Sequence, residues 1–103
     1  MKTLFYNNHE IVLDVDTYTY SNSIAIAAYT TDGEPYADLT VCLDFLMPNF
    51  AFVDVNNFPD AEELIGRYKL GKPTGTKRKS GYVEYPLYEF DIEELQKYVP
   101  EVN

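Results

Sequence analysis

The 103-residue chain carries 17 acidic and eight basic side chains, for a formal net charge of −9, and 46% of its residues are apolar. This length predicts one domain, residues 1–103, and the negative charge disfavours membrane binding and direct nucleic-acid binding because it repels lipid headgroups and phosphate backbones. A single cysteine excludes an intramolecular disulfide, and no stretch reaches the roughly 18 apolar residues of a membrane span, so we expect a cytoplasmic protein.

The first half of the chain predicts β-strands. Asn7 and Asn8 are turn formers between two short apolar stretches, which is typical of a hairpin, and Asp32-Gly33 is the strongest hairpin signal in the chain. In the second strand Asp14 and Asp16 alternate with apolar residues, which indicates one buried and one solvent-exposed face. The predicted strands are residues 3–6, 10–17, 23–30, 36–43 and 50–55.

The second half predicts two short helices with a strand between them. Pro59 suits the first turn of the first helix, and Gly71 suits its end. A strand follows at residues 82–90, where Pro86 indicates an edge position or a bulge. Residues 91–94 have the capping-box pattern that begins the second helix. The apolar stripes are Ala61, Leu64, Ile65 and Tyr68 in the first helix, and Ile92, Leu95, Tyr98 and Val99 in the second.

The element order predicts an α+β fold: one antiparallel sheet of five or six strands, with two short helices packed against it. Sheet edges that have no pairing partner leave room for a homodimer through an edge strand. The residues that we expect in the core are Leu13, Ile26, Leu39, Leu64, Ile65 and Leu95.

Between the first helix and the last strand, residues 71–81 contain three glycines, one proline and no apolar residue, which predicts a loop. Residues 67–79 carry six bases and no acid, whereas residues 1–66 carry eleven acids and one base. A phosphate-binding loop is excluded, because Gly75 is followed by Thr76 and the segment does not open a helix. Either a solvated surface loop or a basic contact surface is consistent with this composition.

Catalytic and metal-binding patterns are missing from the sequence. His9 and Cys42 are the only residues of their types, so a zinc site of four histidine or cysteine ligands cannot be assembled. Cys42 falls within a predicted strand, where a small buried residue is the simplest expectation. We therefore expect no metal, no cofactor and no enzymatic activity.

Four stretches resemble the family named domain of unknown function 4313: TDGEPYADLTV at residues 31–41, AFVDVNN at 51–57, LGKPTG at 70–75 and YPLYEF at 85–90. The resemblance covers nearly the whole chain. It implies neither an activity nor a catalytic residue. It does imply a context, because such proteins are often encoded on bacterial mobile elements, where small acidic proteins sometimes inhibit host defence.

Two binding hypotheses follow. In the first, the chain is a non-enzymatic interaction protein, an inhibitor or DNA mimic, that binds the basic surface of a nucleic-acid-binding protein. The exposed carboxylates of this hypothesis are Asp14, Asp16, Asp32, Glu34, Asp38 and Asp44. In the alternative, the Gly-rich loop of residues 71–81 contacts an anionic partner, and the basic side chains are Lys72, Lys77, Arg78 and Lys79.

Overall fold

Short apolar stretches separated by turn residues form the β-strands of this protein, as its sequence predicts. The computed structural model describes residues 2–18, 23–43 and 47–100. Within these ranges the elements are β1 (Leu4–Tyr6), β2 (His9–Thr17), β3 (Ile24–Thr30), β4 (Pro35–Asp38), β5 (Thr40–Val41), β6 (Phe50–Val53), α1 (Ala61–Arg67), β7 (Gly71–Ser80), β8 (Val83–Phe90) and α2 (Ile92–Gln96).

The first hairpin confirms the turn predicted between β1 and β2. Asn7 and Asn8 have φ angles of 50° and 64°. A two-residue turn with both φ angles positive matches the twist of the strands that it joins, and asparagine adopts this conformation at low cost. The turn sets the register, so that Leu4 pairs with Ile11.

The strands pair antiparallel in two four-stranded sheets, ordered β1-β2-β3-β4 and β5-β6-β8-β7. Antiparallel pairing and two short helices were predicted and are confirmed, whereas a single sheet of five or six strands is wrong. The error lies in residues 36–43, predicted as one strand. At Leu39 the chain passes from the first sheet to the second, because the Leu39 N–H donates to the Ile26 carbonyl and the Leu39 carbonyl accepts from the Asp54 N–H, each at 2.9 Å. A strand that changes sheets at a bend is a common way to join two packed sheets.

The core lies between the two sheets and the helices. All six predicted core residues are at most 2% exposed, and the first helix turns Ala61, Leu64 and Ile65 inward as its spacing predicts. The second helix differs from prediction at Ile92, which is 41% exposed. This helix has only five residues and is anchored behind its end, where the Leu13 N–H donates to the Tyr98 carbonyl. Leu95, near the end of the helix, is therefore buried in the core, whereas Ile92 at its start is exposed to solvent. No helix in the described part of the chain is long and apolar enough to cross a membrane.

Residues 71–80 form a strand, which corrects the prediction of a loop. β7 pairs with β8 from Gly71 opposite Phe90 to Ser80 opposite Val83, with a register shift between Pro73 and Lys77. The shift is a bulge in which Gly75 has a φ of 90°, a conformation that favours glycine. Glycine, proline and lysine are all poor strand formers, so pairing with β8 imposes the strand conformation on this segment.

Candidate functional site

A groove on the outer face of the first sheet collects three of the predicted carboxylates. Asp14 on β2 pairs with Ala27 on β3, which pairs with Asp38 on β4, and Asp16 pairs with Ala25. Directly paired residues point to the same side of a sheet, so the alanines form a floor with carboxylates on both sides. The strands that carry Asp14 and Asp38 are about 10 Å apart, because neighbouring strands are spaced by about 4.8 Å. We call this feature the acidic groove; its volume is about 310 Å³.

The far wall of the acidic groove comes from the second sheet and contains a carboxylate that was not predicted. Asp54 is 5% exposed and accepts hydrogen bonds from the backbone N–H and the side-chain Nδ2 of Asn57, at 3.2 and 2.9 Å. Beside it, the hydroxyls of Tyr18 and Thr40 lie 2.7 Å apart. Burial raises the pKa of Tyr18 above its ordinary value of 10.0, so this hydroxyl stays protonated well above neutral pH. The sequence signal for Asp54 is its Asp-x-x-Asn spacing after a strand, which is typical of a side-chain-stabilised turn.

The remaining predicted carboxylates do not line this groove. Asp32 and Glu34 are exposed in the turn between β3 and β4, where the Glu34 N–H donates to the Thr30 hydroxyl at 3.2 Å. Asp44 lies outside the described residues. Sequence alternation was enough to place Asp14 and Asp16 on one face, whereas the addition of Asp38 and Asp54 required the strand pairing.

Cys42 is exposed and lines the acidic groove, so the expectation of a buried residue is wrong. The predicted strand ends earlier than expected, after the two residues of β5, and Cys42 follows it at the surface. His9, the only histidine of the sequence, packs against Tyr36 with ring centroids 5.6 Å apart and does not line the groove. The described residues contain no group of three or more histidine, cysteine, aspartate or glutamate side chains that could hold a metal ion.

The predicted basic residues lie on a hairpin that extends beyond the second sheet. In the described part of the chain β6 pairs with β8 at residues 87–89, and those of residues 74–85 that pair do so within the hairpin itself. Every β7 residue after Gly71 is exposed, and Tyr82 in the turn is fully exposed. Tyr82 is four steps along the strand from Pro86, a distance of about 13 Å at roughly 3.3 Å per residue. We call residues 74–85 the basic arm. Pro86 lies opposite the end of the bulge and one residue beyond the last residue of β8 that pairs with β6, which agrees with the predicted edge position or bulge.

The basic arm carries cations on both of its faces. Lys77 and Lys79 share one face with Glu84, which pairs with Lys79, while Arg78 and its partner Tyr85 lie on the other face. Three bases and one acid give residues 74–85 a net charge of +2. Exposed charges are screened over about 8 Å at physiological ionic strength. The end of the arm is therefore largely shielded from the negative field of the rest of the protein.

The base of the arm is anchored more firmly than its end. The Tyr88 hydroxyl donates to Glu62 of α1 at 2.8 Å, and burial together with this bond raises the pKa of Tyr88. A Cβ at Gly71 would lie 2.9 Å from the Glu89 carbonyl oxygen, so the two strands approach too closely there for a side chain. Lys72 belongs to this region and not to the arm, and its contact with Glu89 is an exposed ion pair of 3.6 Å.

Comparison with known proteins gives one match. A family model described as a domain of unknown function (DUF4313) matches residues 12–102, which include the acidic groove and the basic arm. This confirms the resemblance that the four sequence stretches indicated. No curated protein and no solved structure matches the chain.

Proposed function

We propose that this chain, which belongs to the DUF4313 family, is a non-enzymatic interaction protein whose acidic groove binds a basic element of a protein partner. The observation that supports the proposal is the alignment of Asp14 and Asp38 on either side of Ala27, with Asp16 in the next row. The three carboxylates are exposed and are held by paired strands, so their positions are set before a partner arrives.

The dimensions of the groove suit a lysine or arginine side chain. Alanine is the smallest residue with a side chain, so the floor leaves space between the carboxylates of β2 and that of β4. A guanidinium group placed there can form two parallel hydrogen bonds with one carboxylate and be attracted by the others. The net charge of −9 also speeds the approach of a basic partner.

A nucleic-acid-binding protein is the most concrete partner of this kind. Asp14 and Asp16 are two residues apart on one strand, which places them about 7 Å from each other. Such a row of fixed negative charges can compete with phosphates for the lysine and arginine side chains that normally bind them. In this form of the proposal the chain is an inhibitor and a DNA mimic, which agrees with the context that the family resemblance implies.

Neutralising the groove tests the proposal. The variant Asp14→Asn, Asp16→Asn, Asp38→Asn keeps side-chain shape and removes three charges, and the matched control Glu10→Gln, Glu63→Gln, Glu93→Gln removes three exposed charges elsewhere. The probe is a fluorescent peptide of alternating lysine and arginine residues, and its binding is followed by anisotropy. We expect the groove variant to bind at least about tenfold more weakly and the control to lose much less, because short-range ion contacts exceed the effect of net charge. Equal losses in both variants would show that only total charge matters, and the groove would then have no special role.

A second candidate function uses the basic arm to contact an anionic partner. It is favoured by the extension of the arm beyond the second sheet, which leaves both of its faces accessible. Changing Lys77, Arg78 and Lys79 to Glu separates the two candidates. The changed arm should leave binding through the groove intact or tighter, because the negative field becomes more uniform, and should abolish binding through the arm.

A further inference from the structure

The basic arm has the shape of a two-stranded ribbon with one free end. Packed β-sheets lie about 10 Å apart, so a ribbon with side chains on both faces is about 10 Å thick. The major groove of duplex DNA is about 12 Å wide and admits a two-stranded β-ribbon. The 13 Å length estimated above also exceeds the groove depth of about 8.5 Å. The end of the arm can therefore reach the base edges while the rest of the protein stays outside.

The distribution of charge over the arm fits a groove with two phosphate walls. A ribbon that enters end-first presents one face to each phosphate backbone. Lys77 and Lys79 lie on one face and Arg78 on the other, so each wall meets at least one cation. Phosphate contacts of this kind supply most of the affinity of non-specific binding and fix the orientation of the protein.

Tyr82 supplies a second and independent observation. It occupies the turn at the end of the ribbon, beside Gly81, and is the most exposed large apolar side chain in the described part of the chain. A fully exposed side chain contributes almost nothing to the packing of the folded protein. An aromatic ring at the leading end of a basic segment can make apolar contact with base edges, such as the thymine methyl group in the major groove.

An extended acidic peptide is a poorer fit to the same arm. Such a peptide would add to the outer edge of β7 through backbone hydrogen bonds. That edge carries Pro73, the bulge at residues 74–76 and several lysines, and each of these features blocks the addition of a further strand. The same features make β7 an unfavourable edge for the homodimer proposed from the sequence, which stays a prediction for the other edge strands.

We infer that the basic arm binds duplex nucleic acid, with Tyr82 entering a groove and Lys77, Arg78 and Lys79 contacting the two phosphate backbones. This inference rests on the second candidate function and not on the acidic groove. Outside residues 71–90, whose net charge is +2, the chain has a net charge of −11 and is repelled by phosphate. Contact is therefore confined to the arm, and only a short stretch of the duplex is covered. Direct nucleic-acid binding, disfavoured by the net charge alone, becomes feasible because the arm extends beyond the screening distance.

The test measures anisotropy of a labelled DNA duplex of about 20 base pairs over a series of salt concentrations that includes about 150 mM, where the screening distance is about 8 Å. Changing Lys77, Arg78 and Lys79 together to Gln should weaken binding at least about tenfold. The variant Tyr82→Ser should weaken it about fivefold or more with no change of charge, because the groove contact buries apolar ring surface. Three phosphate contacts give a salt slope no steeper than about −2.7, and the triple variant should show a slope near zero.

The matched control is Lys2→Gln, Arg67→Gln, Lys69→Gln, which removes the same number of positive charges at positions outside the arm and should bind DNA nearly as well as the unchanged protein. Equal weakening in the control would overturn the inference, and so would undetectable binding by the unchanged protein. Competition by poly-glutamate that equals competition by unlabelled duplex would assign the arm to an acidic protein instead. The variant Asp14→Asn, Asp16→Asn, Asp38→Asn should bind DNA at least as well as the unchanged protein. The proposal for the groove and the inference for the arm can therefore be contradicted independently of each other. The arm substitutions lie at exposed positions, so we expect unchanged thermal unfolding midpoints, and measuring them checks that the variants fold.

Discussion

The acidic groove and the basic arm carry opposite charges, and the strands that carry these charges differ in rigidity. The floor of the groove belongs to β3, which is paired on both sides and has Ile26 and Ala28 buried beneath it. The arm has two strands and no core of its own, and a two-stranded hairpin is at best marginally stable without further packing. The groove therefore offers charges at fixed positions, which suits a partner of matching shape. The arm can adjust to its partner and loses more conformational freedom when it binds.

The largest expected effect tests the support under the groove. Ile26→Ala removes a side chain that is 2% exposed from β3, an interior strand of the first sheet. Such a change should lower the free energy of unfolding by about 2–5 kcal/mol, because it loses apolar burial and leaves a cavity. Val83→Ala in the half-exposed part of the arm should cost well under half as much. Urea denaturation of both variants measures the difference, and equal losses would show that the arm is as tightly packed as the groove.

Carboxylates within the acidic groove should differ from one another in their effect on stability. Asp54→Ala removes a buried carboxylate that accepts two hydrogen bonds from Asn57 and should cost about 1–3 kcal/mol, because hydrogen bonds to a carboxylate contribute more than those between neutral groups. Asp14→Ala changes an exposed side chain and should stay within about 0.5 kcal/mol of the unchanged protein. Chemical denaturation distinguishes the two. A loss above about 1 kcal/mol for Asp14→Ala would mean that the exposed groove residues also hold the fold together.

Two glycines sharpen the comparison through opposite signs. Gly75→Ala places a side chain in the arm at a φ of 90° and should cost about 1–2 kcal/mol of local stability. Gly66→Ala, within α1, meets no atom within 4 Å and should stabilise the protein by about 0.5–1 kcal/mol through higher helix propensity. Hydrogen exchange locates each effect, in the arm for the first and in the whole protein for the second. Faster exchange throughout the protein in Gly75→Ala would contradict the independence of the arm.

The smallest expected effect is a loss of stability at alkaline pH, through the hydrogen bond between β1 and the residue that precedes α1. The hydrogen bond from the Tyr6 hydroxyl to Asp60 raises the pKa of Tyr6 from 10.0 to about 12. Because the folded state holds this proton more tightly than the unfolded state, the contribution to stability is complete below pH 10 and is lost as the pH rises through about 12. Ultraviolet titration of tyrosine ionisation should lose one late-titrating group in Tyr6→Phe. If Tyr6→Phe instead removes a group that titrates near the ordinary tyrosine pKa of 10.0, the hydrogen bond from Tyr6 to Asp60 is contradicted.

Local sequence determined the elements whose own residues favour one conformation. Asn7 and Asn8 form the predicted turn because asparagine tolerates a positive φ. The second helix begins as predicted because the Asp91 carboxylate accepts from the Glu94 N–H at 3.1 Å. Period-2 alternation placed Asp14 and Asp16 on the outer face of β2, since a strand turns successive side chains to opposite sides. Half of the acidic groove was therefore predictable from neighbours in the chain.

Tertiary structure alone decided the features that depend on which strands meet. Nothing within residues 36–43 shows that Leu39 bonds to Ile26 in one sheet and to Asp54 in the other, so the division into two sheets could not be foreseen. Residues 71–80 contain no apolar residue and no apolar–polar alternation, and they are extended because β8 supplies the hydrogen-bond partners that a loop would take from water. The same pairing turned a predicted loop into an arm with cations on both faces. Composition determined how much charge this protein carries, whereas strand pairing determined where that charge is presented, because pairing brings together residues that are distant in the chain.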